Sequence, residues 1–450
     1  MKRTFEHLSP QPTMASKSLN KIISNISWLL GDKVLDVVMR VTVGVLVARY
    51  LGAEWFGYLH YSLAIVALLV PVVKLGLNSI VVKYLALEPE RRGQLLGTAF
   101  AMQIATALLL SIGLVVFIRF VGVGHETTDL MVTILAFTLI FQCADPVVSW
   151  NQSQVASKYT VLAKRISLLV GLTIRLVFIY FTIDFIYFIL AWVVESILKA
   201  YFLFHFYLKK ESLSNWKFDR RTALRLLKES WPMMFSGIAA IVYLKIDVVM
   251  LGSLRESRDV GIYSAAVRIS ELFYFIPTIV SATLLPAIVR SSQHDASYFN
   301  TRIQALIDGL ALYSIIAVAF LLISADMLVN LLFGSDYSEA GLILKIHAFA
   351  LIFVATGTSR DKMLIAENRT VFIMVSTFFG AVINIALNLF LIPRYAGIGA
   401  AVSTIVSYAF SGYFACLFWK PTIKHFKMIT ASFFVLFRPK SLYQFIVRLR

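Results

Sequence analysis

Apolar runs of about twenty residues recur along the chain, separated by short polar or glycine-bearing stretches. Twelve can be set out, near residues 22–48, 59–82, 94–118, 128–150, 160–182, 186–207, 231–253, 261–288, 303–323, 341–365, 371–392 and 397–418. Wound as a helix, each is long enough to cross about 30 Å of hydrocarbon. The pattern predicts an all-α polytopic membrane protein with about twelve transmembrane helices.

The widest polar interruption sets the domain plan. It predicts an N-terminal six-helix lobe over 1–207, a cytoplasmic linker over 208–230, a C-terminal six-helix lobe over 231–418, and a basic amphipathic cytoplasmic tail over 419–450. The two lobes repeat one another faintly. Leu51-Gly52 and Leu251-Gly252 each close the first span of a half, and YSLA at 61–64 answers YSAA at 263–266. QVASKY at 154–159 and LIAENR at 364–369 each precede a helix, a tight turn and another helix. Parallel six-helix repeats predict two bundles facing each other across a central cavity.

Composition strengthens the membrane reading. Hydrophobic residues make up 59% of 450, mean hydropathy is +0.79, and only 15% are charged, against about 25% in soluble domains. The net charge of +17 would suit a nucleic-acid binder, but it sorts by loop. The loops on the side of the termini hold most of the Lys and Arg, including Lys209, Lys210, Lys217, Arg220, Arg221, Arg225 and Lys228. The opposite loops hold Arg49, Arg119, Arg255, Arg258 and Arg394. By the positive-inside rule both termini are cytoplasmic, and the basicity reports topology rather than nucleic acid. Cys143 and Cys416 fall in spans, so no disulfide framework is expected. The first fifteen residues lack a signal peptide's apolar core, and the first helix is expected to stay as an anchor.

Several ordered segments resemble one family. ARYLGAEWFGYLHYS at 48–62, LKIDVVMLG at 244–252 followed by VGIYSAAVRI at 260–269, LVNLLFGSDYSEAG at 328–341 and NIALNLFLIPRYAGIGAAVST at 384–404 are similar to stretches of Wzx-type O-antigen and polysaccharide flippases. That family belongs to the MOP superfamily, together with MATE exporters and lipid II flippases. The resemblance runs from about residue 20 to 418. It implies a V-shaped pair of six-helix lobes, alternating access, and residence in the bacterial cytoplasmic (inner) membrane. Its implied substrate is a polyprenyl-pyrophosphate-linked glycan, and its implied surroundings are membrane lipids and a polysaccharide polymerase and length-regulator complex.

Charge inside the spans then carries the chemistry, because ionisable groups at bilayer depth are costly and face protein or water. Asp32, Lys33, Asp36 and Arg40 fall within an arc of about 100° on one helix, as a cavity lining or as a mutually neutralising network. Lys74 and Arg175 have no acid within reach on their own helices. Each therefore suits a phosphate, unless another helix supplies a partner: Asp36 for Lys74, Asp145 or Glu195 for Arg175. Arg40, Lys74, Arg175, Lys245 and Arg268 are the candidate headgroup-binding residues. Asp32, Asp36, Asp247 and Glu271 are the candidate cavity and coupling acids, with H+ or Na+ as the coupling ion or the membrane potential as the drive. Asp247 also matches an acidic position of the resembling family's seventh span. Arg268–Glu271 and Glu195–Lys199 have helical spacing for self-neutralisation, and Lys345 is placed for snorkelling to the outer surface. Trp150 and Tyr263 are candidates for stacking on sugar rings.

No cofactor is expected. The chain has no Gly-Lys dipeptide and hence no phosphate-cradling loop of the kind an ATP-driven pump needs. It has no D-x-D pair and no H-x-x-x-H spacing, which disfavours a membrane glycosyltransferase or polymerase. A MATE-like exporter of small cationic or amphipathic molecules is the nearer alternative, and it predicts a cavity dominated by acids.

Overall fold

The computed structural model describes the backbone of residues 14–291 and 296–437. Side chains are described for the same residues except 14–38, 40, 282, 285–291, 296–299 and 437. The charged stripe of Asp32, Lys33, Asp36 and Arg40 therefore lies outside the described residues.

The N-terminal half contains α1 (Met14–Lys74), α2 (Leu77–Leu87), α3 (Arg92–Phe120), α4 (Glu126–Ala136), α5 (Asp145–Ser153), α6 (Ser157–Tyr180) and α7 (Phe185–Leu208). The C-terminal half contains α8 (Arg220–Leu254), α9 (Ser257–Leu272), α10 (Phe275–Ser291), α11 (Ala296–Leu332), α12 (Ala340–His347), α13 (Ala350–Ala366), α14 (Thr370–Gly412) and α15 (Ile423–Phe433).

Among the described residues, eight helical stretches are long and apolar enough to cross a membrane. Two of these, Val41–Leu87 and Thr370–Leu417, run to 47 and 48 residues, twice the length that one crossing of about 20 residues needs. Each bends at a non-helical residue of positive φ, and the first breaks again at Leu75 and Gly76. Gly52 sits at φ 73° in α1 and Ala396 at φ 46° in α14; the first is cheap because glycine carries no Cβ. Helix α6 has 24 residues but stays out of the apolar set because it carries Lys158, Lys164, Arg165 and Arg175. Among the described residues the eight stretches, their two folds and α6 account for eleven of the twelve expected crossings; the expected span at 261–288 is divided between α9 and α10.

Packing shows how the halves meet. One buried cluster draws from both halves, with Val47, Phe56 and Leu59 from one and Leu251, Tyr263 and Leu344 from the other. Two further clusters are nearly confined to single halves: one around Leu96, Val147 and Leu203, which takes in only Leu226 of α8 from the other half, and one around Ile307, Met363 and Ile429. The shared cluster lies toward the loops poor in Lys and Arg, here called the outer side. The separate clusters lie toward the basic, inner side. Broadly fused at the outer end and joined more thinly at the inner one, the halves form a V.

The outer seam is built from backbone. A Cβ on Gly57 would sit 1.7 Å from the Ser257 carbonyl oxygen, and one on Gly261 would sit 1.8 Å from that of Ala53. The contacts are reciprocal, and the two glycines stand 204 positions apart, as Ala53 and Ser257 do, in keeping with an internal repeat. The Ala53 N–H donates to Asp336 Oδ2 at 2.7 Å, Tyr337 donates to the Ala48 carbonyl at 2.8 Å, and the Tyr61 and Ser253 hydroxyls lie 3.0 Å apart.

The inner seam is built from charge. Lys83 pairs with Glu229 at 3.0 Å and Arg225 with Glu88 at 2.8 Å, while Tyr84 also donates to Glu229. At the break between α1 and α2, Gly76 lies at φ 63° and presses against the backbone around Met234. The Arg225 guanidinium holds the Glu88 carboxyl below its ordinary value. That contact thus persists above the usual carboxylate range and is lost only as pH falls through the lowered value. Glu229→Lys should part this seam, and adding Lys83→Glu should close it again. The distance between spin labels at the exposed Leu87 and Leu227 reads the change, and added salt should shrink the difference.

Two expectations are refined here. Helix α8 begins at Arg220, inside the stretch read as linker, with Asp219 accepting from the Thr222 N–H at 2.7 Å as its cap. The rest of that stretch is docked against α3, where Lys217 N–H donates to the Gly93 carbonyl at 3.3 Å. The start of the tail is packed as well. His425 and Ile429 of α15 are buried, and Gln304 of α11 donates to the Met428 carbonyl at 3.1 Å. Lys424 and Lys427 stay on its exposed face; residues 438–450 lie outside the described residues.

Candidate functional site

A cavity of about 170 Å³ lies between α1, α6, α7 and α9, under the outer seam. Its apolar walls follow helical spacing: Val43 and Val47, then Leu59 and Leu63, on α1, and Leu168 and Leu172 on α6. Into it reach His60, Arg175, Trp192 and Arg268.

Arg175 is held on two sides. Its Nη2 lies 2.7 Å from Glu195 Oε2, and its Cζ sits 3.7 Å above the centre of the Trp192 ring. Only 5% of the Arg175 side chain is exposed, so the fork has a fixed direction, which suits bidentate recognition of an oxyanion. Arg268 has a seat made by a missing side chain. A Cβ on Gly44 would lie 2.3 Å from the Arg268 Cζ, and the guanidinium is 5.8 Å from the centre of the Phe56 ring. Two guanidinium groups, an imidazole and an indole thus share a small apolar chamber.

The second constellation is in the C-terminal half. Asp247 of α8 is buried and accepts from Tyr263 at 3.0 Å, from Asn388 Nδ2 at 2.7 Å and from the Thr404 hydroxyl. Asn388 also donates to Asn384 Oδ1 at 3.1 Å, and its own Oδ1 is buried with no hydrogen-bond partner. The acid ties α8 and α9 to both arms of the folded α14. A buried carboxylate ringed by an amide N–H and two hydroxyls is a site that can exchange a proton.

The structure separates the sequence candidates. Arg175 and Arg268 meet in one chamber, joined by His60 and Trp192. Lys74 and Arg175 do take partners from other helices: Lys74 pairs with Asp145 at 2.7 Å and Arg175 with Glu195. Neither is the unpartnered cation its own helix suggests. The Arg268–Glu271 and Glu195–Lys199 pairs do not form, because Arg268 turns into the notch at Gly44, Glu271 is exposed, and Glu195 is taken by Arg175. Lys245 is half-buried on α8, and Lys345 pairs with Asp326 at 2.5 Å. Arg40, Asp32 and Asp36 lie outside the described residues. Trp150 and Tyr263 are buried, the first packed edge-on to Tyr207 and the second bonded to Asp247. Neither lines the chamber; Trp192 does.

Sequence reasoning passed over His60, Gly44, Asn384, Asn388 and Thr404. Two asparagines four residues apart in an apolar span were a legible signal, because bare amides are costly in hydrocarbon. Arg165 and Arg360, which sequence reasoning did not single out, are also buried. Arg360 is engaged by Asp361 at 2.6 Å and by the Ser411 carbonyl.

Known proteins share this architecture. A family model described as "Polysaccharide biosynthesis protein" matches residues 22–292. The probable low-salt glycan biosynthesis flippase Agl15 of Haloferax volcanii is 25% identical over 369 residues, 80% of this chain and 76% of the relative. The capsular polysaccharide biosynthesis protein CapF of Staphylococcus aureus is 21% identical over 393 residues, 86% of this chain and 96% of the relative. Among solved structures, the lipid II flippase MurJ in an inward closed conformation superposes with a TM-score of 0.72 at 15% identity, covering 95% of both chains. An inward-facing MATE multidrug transporter of the MOP superfamily superposes with a TM-score of 0.66 at 13% identity, covering 86% of this chain and 95% of the other. These two likenesses show the MOP fold.

Proposed function

Since the chain belongs to the polysaccharide biosynthesis protein family and is a flippase of glycan biosynthesis, we propose that it moves a polyprenyl-pyrophosphate-linked oligosaccharide from the cytoplasmic to the outer leaflet by alternating access. The observation that carries this reading is the chamber under the outer seam, where Arg175 and Arg268 converge. An unpaired hydroxyl costs about 2–7 kcal/mol in hydrocarbon, so a bare oligosaccharide cannot cross. Two fixed guanidinium groups receive the phosphate charge, and the Trp192 face offers a platform for a sugar ring.

Asp247 supplies the coupling site in this reading, taking up H+ or Na+ among Tyr263, Asn388 and Thr404. Membrane potential adds to the drive, because an anion leaving a negative interior gains about 2.3 kcal/mol per charge per 100 mV. The protein would sit in the bacterial cytoplasmic membrane with both termini inside, delivering its lipid to a polymerase and length regulator at the outer face.

The test is flipping in liposomes loaded with a defined polyprenyl-pyrophosphate glycan, scored by access of the sugar to an external enzyme. Arg175→Gln and Arg268→Gln should each slow it by about tenfold or more, the worth of one charge-assisted contact. Wild-type rates from both variants would remove the chamber from the pathway. Export of small cationic dyes without lipid flipping would favour the MATE-like alternative.

A further inference from the structure

Nearer the basic loops than the arginine chamber, three helices repeat one pattern. On α1, Leu63 lines the chamber and Lys74 follows eleven residues later. On α6, Arg175 lines it and Lys164 precedes by eleven. On α7, Trp192 lines it and Lys199 follows by seven. Steps of eleven or seven residues return a helix to within about 20° of the same face, after a rise of roughly 16 Å or 10 Å. Because α6 runs antiparallel to α1 and α7 in this stretch, all three steps lead toward the inner side.

These lysines lie on the inner side of the chamber. Lys74 Nζ is 2.7 Å from Asp145 Oδ2 at the start of α5, Lys199 is half-buried and Lys164 exposed, and Glu195, one turn before Lys199 on α7, is already paired with Arg175. Three ammonium groups and one guanidinium against two carboxylates leave a positive excess on this face. A multiply charged anion is the ligand that relieves it. The residue type fits a transient hold: lysine is a point charge on a flexible stem, whereas arginine grips in a fixed fork.

We infer that Lys74, Lys164 and Lys199 form a loading station for a diphosphate headgroup, distinct from the arginine chamber. Asp145 is its place-holder, occupying Lys74 until the headgroup displaces it. This rests on the proposed reading of the protein as a carrier of a diphosphate lipid. The headgroup would dock first at the lysines and then advance roughly 16 Å to Arg175 and Arg268.

The test uses the full chain in nanodiscs, with geranylgeranyl diphosphate and inorganic pyrophosphate as separate probes. Lys164→Gln with Lys199→Gln should weaken binding of the lipid probe about tenfold or more, and Arg at both positions should restore it. Asp145→Asn should tighten binding by freeing Lys74, an effect opposite to that of a merely damaged fold. Binding of both probes with these responses assigns recognition to the phosphates; binding of the lipid alone adds the prenyl chain as a determinant. Wild-type affinity in the double Gln variant, with loss in Arg268→Gln, would overturn the lysine station and leave the flippase reading standing. Weaker binding in Asp145→Asn would also overturn it. A wild-type protein that binds neither probe would overturn both.

Discussion

Gly57→Val and Gly261→Val should each abolish export and hold the outer side open. At both positions the atom in the way is a backbone carbonyl of the opposite half, 1.7 Å and 1.8 Å from the added Cβ. No rotamer change can relieve that, so the helices must separate. Overpacking a close contact costs about 1–3 kcal/mol, and each 1.4 kcal/mol shifts an equilibrium tenfold. Valine at either position should therefore deplete the outer-closed state by about tenfold to a hundredfold. Glu54 and Glu256 are exposed on the two sides of this seam, and spin labels there should report a longer distance in both variants. An unchanged distance together with normal export would mean that this seam does not move.

Asp247→Asn should uncouple transport from its driving ion while leaving the protein folded. Asparagine keeps the side-chain volume and still offers one oxygen to the Tyr263 and Thr404 hydroxyls, but it can neither bind a proton nor carry the charge that holds a cation. Flipping in vesicles should then ignore pH and sodium gradients, whereas the wild type should respond to one of them. Asp247→Ala should behave differently. It strands the Tyr263 and Thr404 hydroxyls and the Asn388 amide in a buried site, at about 1–3 kcal/mol each, and should appear first as a lowered unfolding temperature. A gradient response surviving Asp247→Asn would move the coupling site elsewhere.

The hydrophobic pattern made the helices legible because bilayer thickness imposes one length on every crossing. It also exposed Asp247, since an acid in an apolar run is too costly at bilayer depth to stand there without a protein or water partner. Pairing was a different matter. Local spacing offered Glu271 to Arg268 and Lys199 to Glu195, yet both basic groups are placed by neighbouring helices: a glycine notch on α1 draws Arg268 away, and the acid goes to Arg175 on α6. Lys74 and Asp145 are 71 residues apart, and nothing short of the tertiary fold brings them together. The start of α8 at Arg220 was obscured because its first turns are basic and exposed, so periodicity gave way there to a charge-rich stretch that read as linker.

The two rims of the V are fastened by different means: main chain meets main chain at both, but only the inner rim adds ion pairs that water and ions can reach. Dissolved salt loosens those pairs and leaves the main-chain contacts nearly untouched. Ionic strength should accordingly set how readily the inner rim parts, and leave the outer rim nearly indifferent to it.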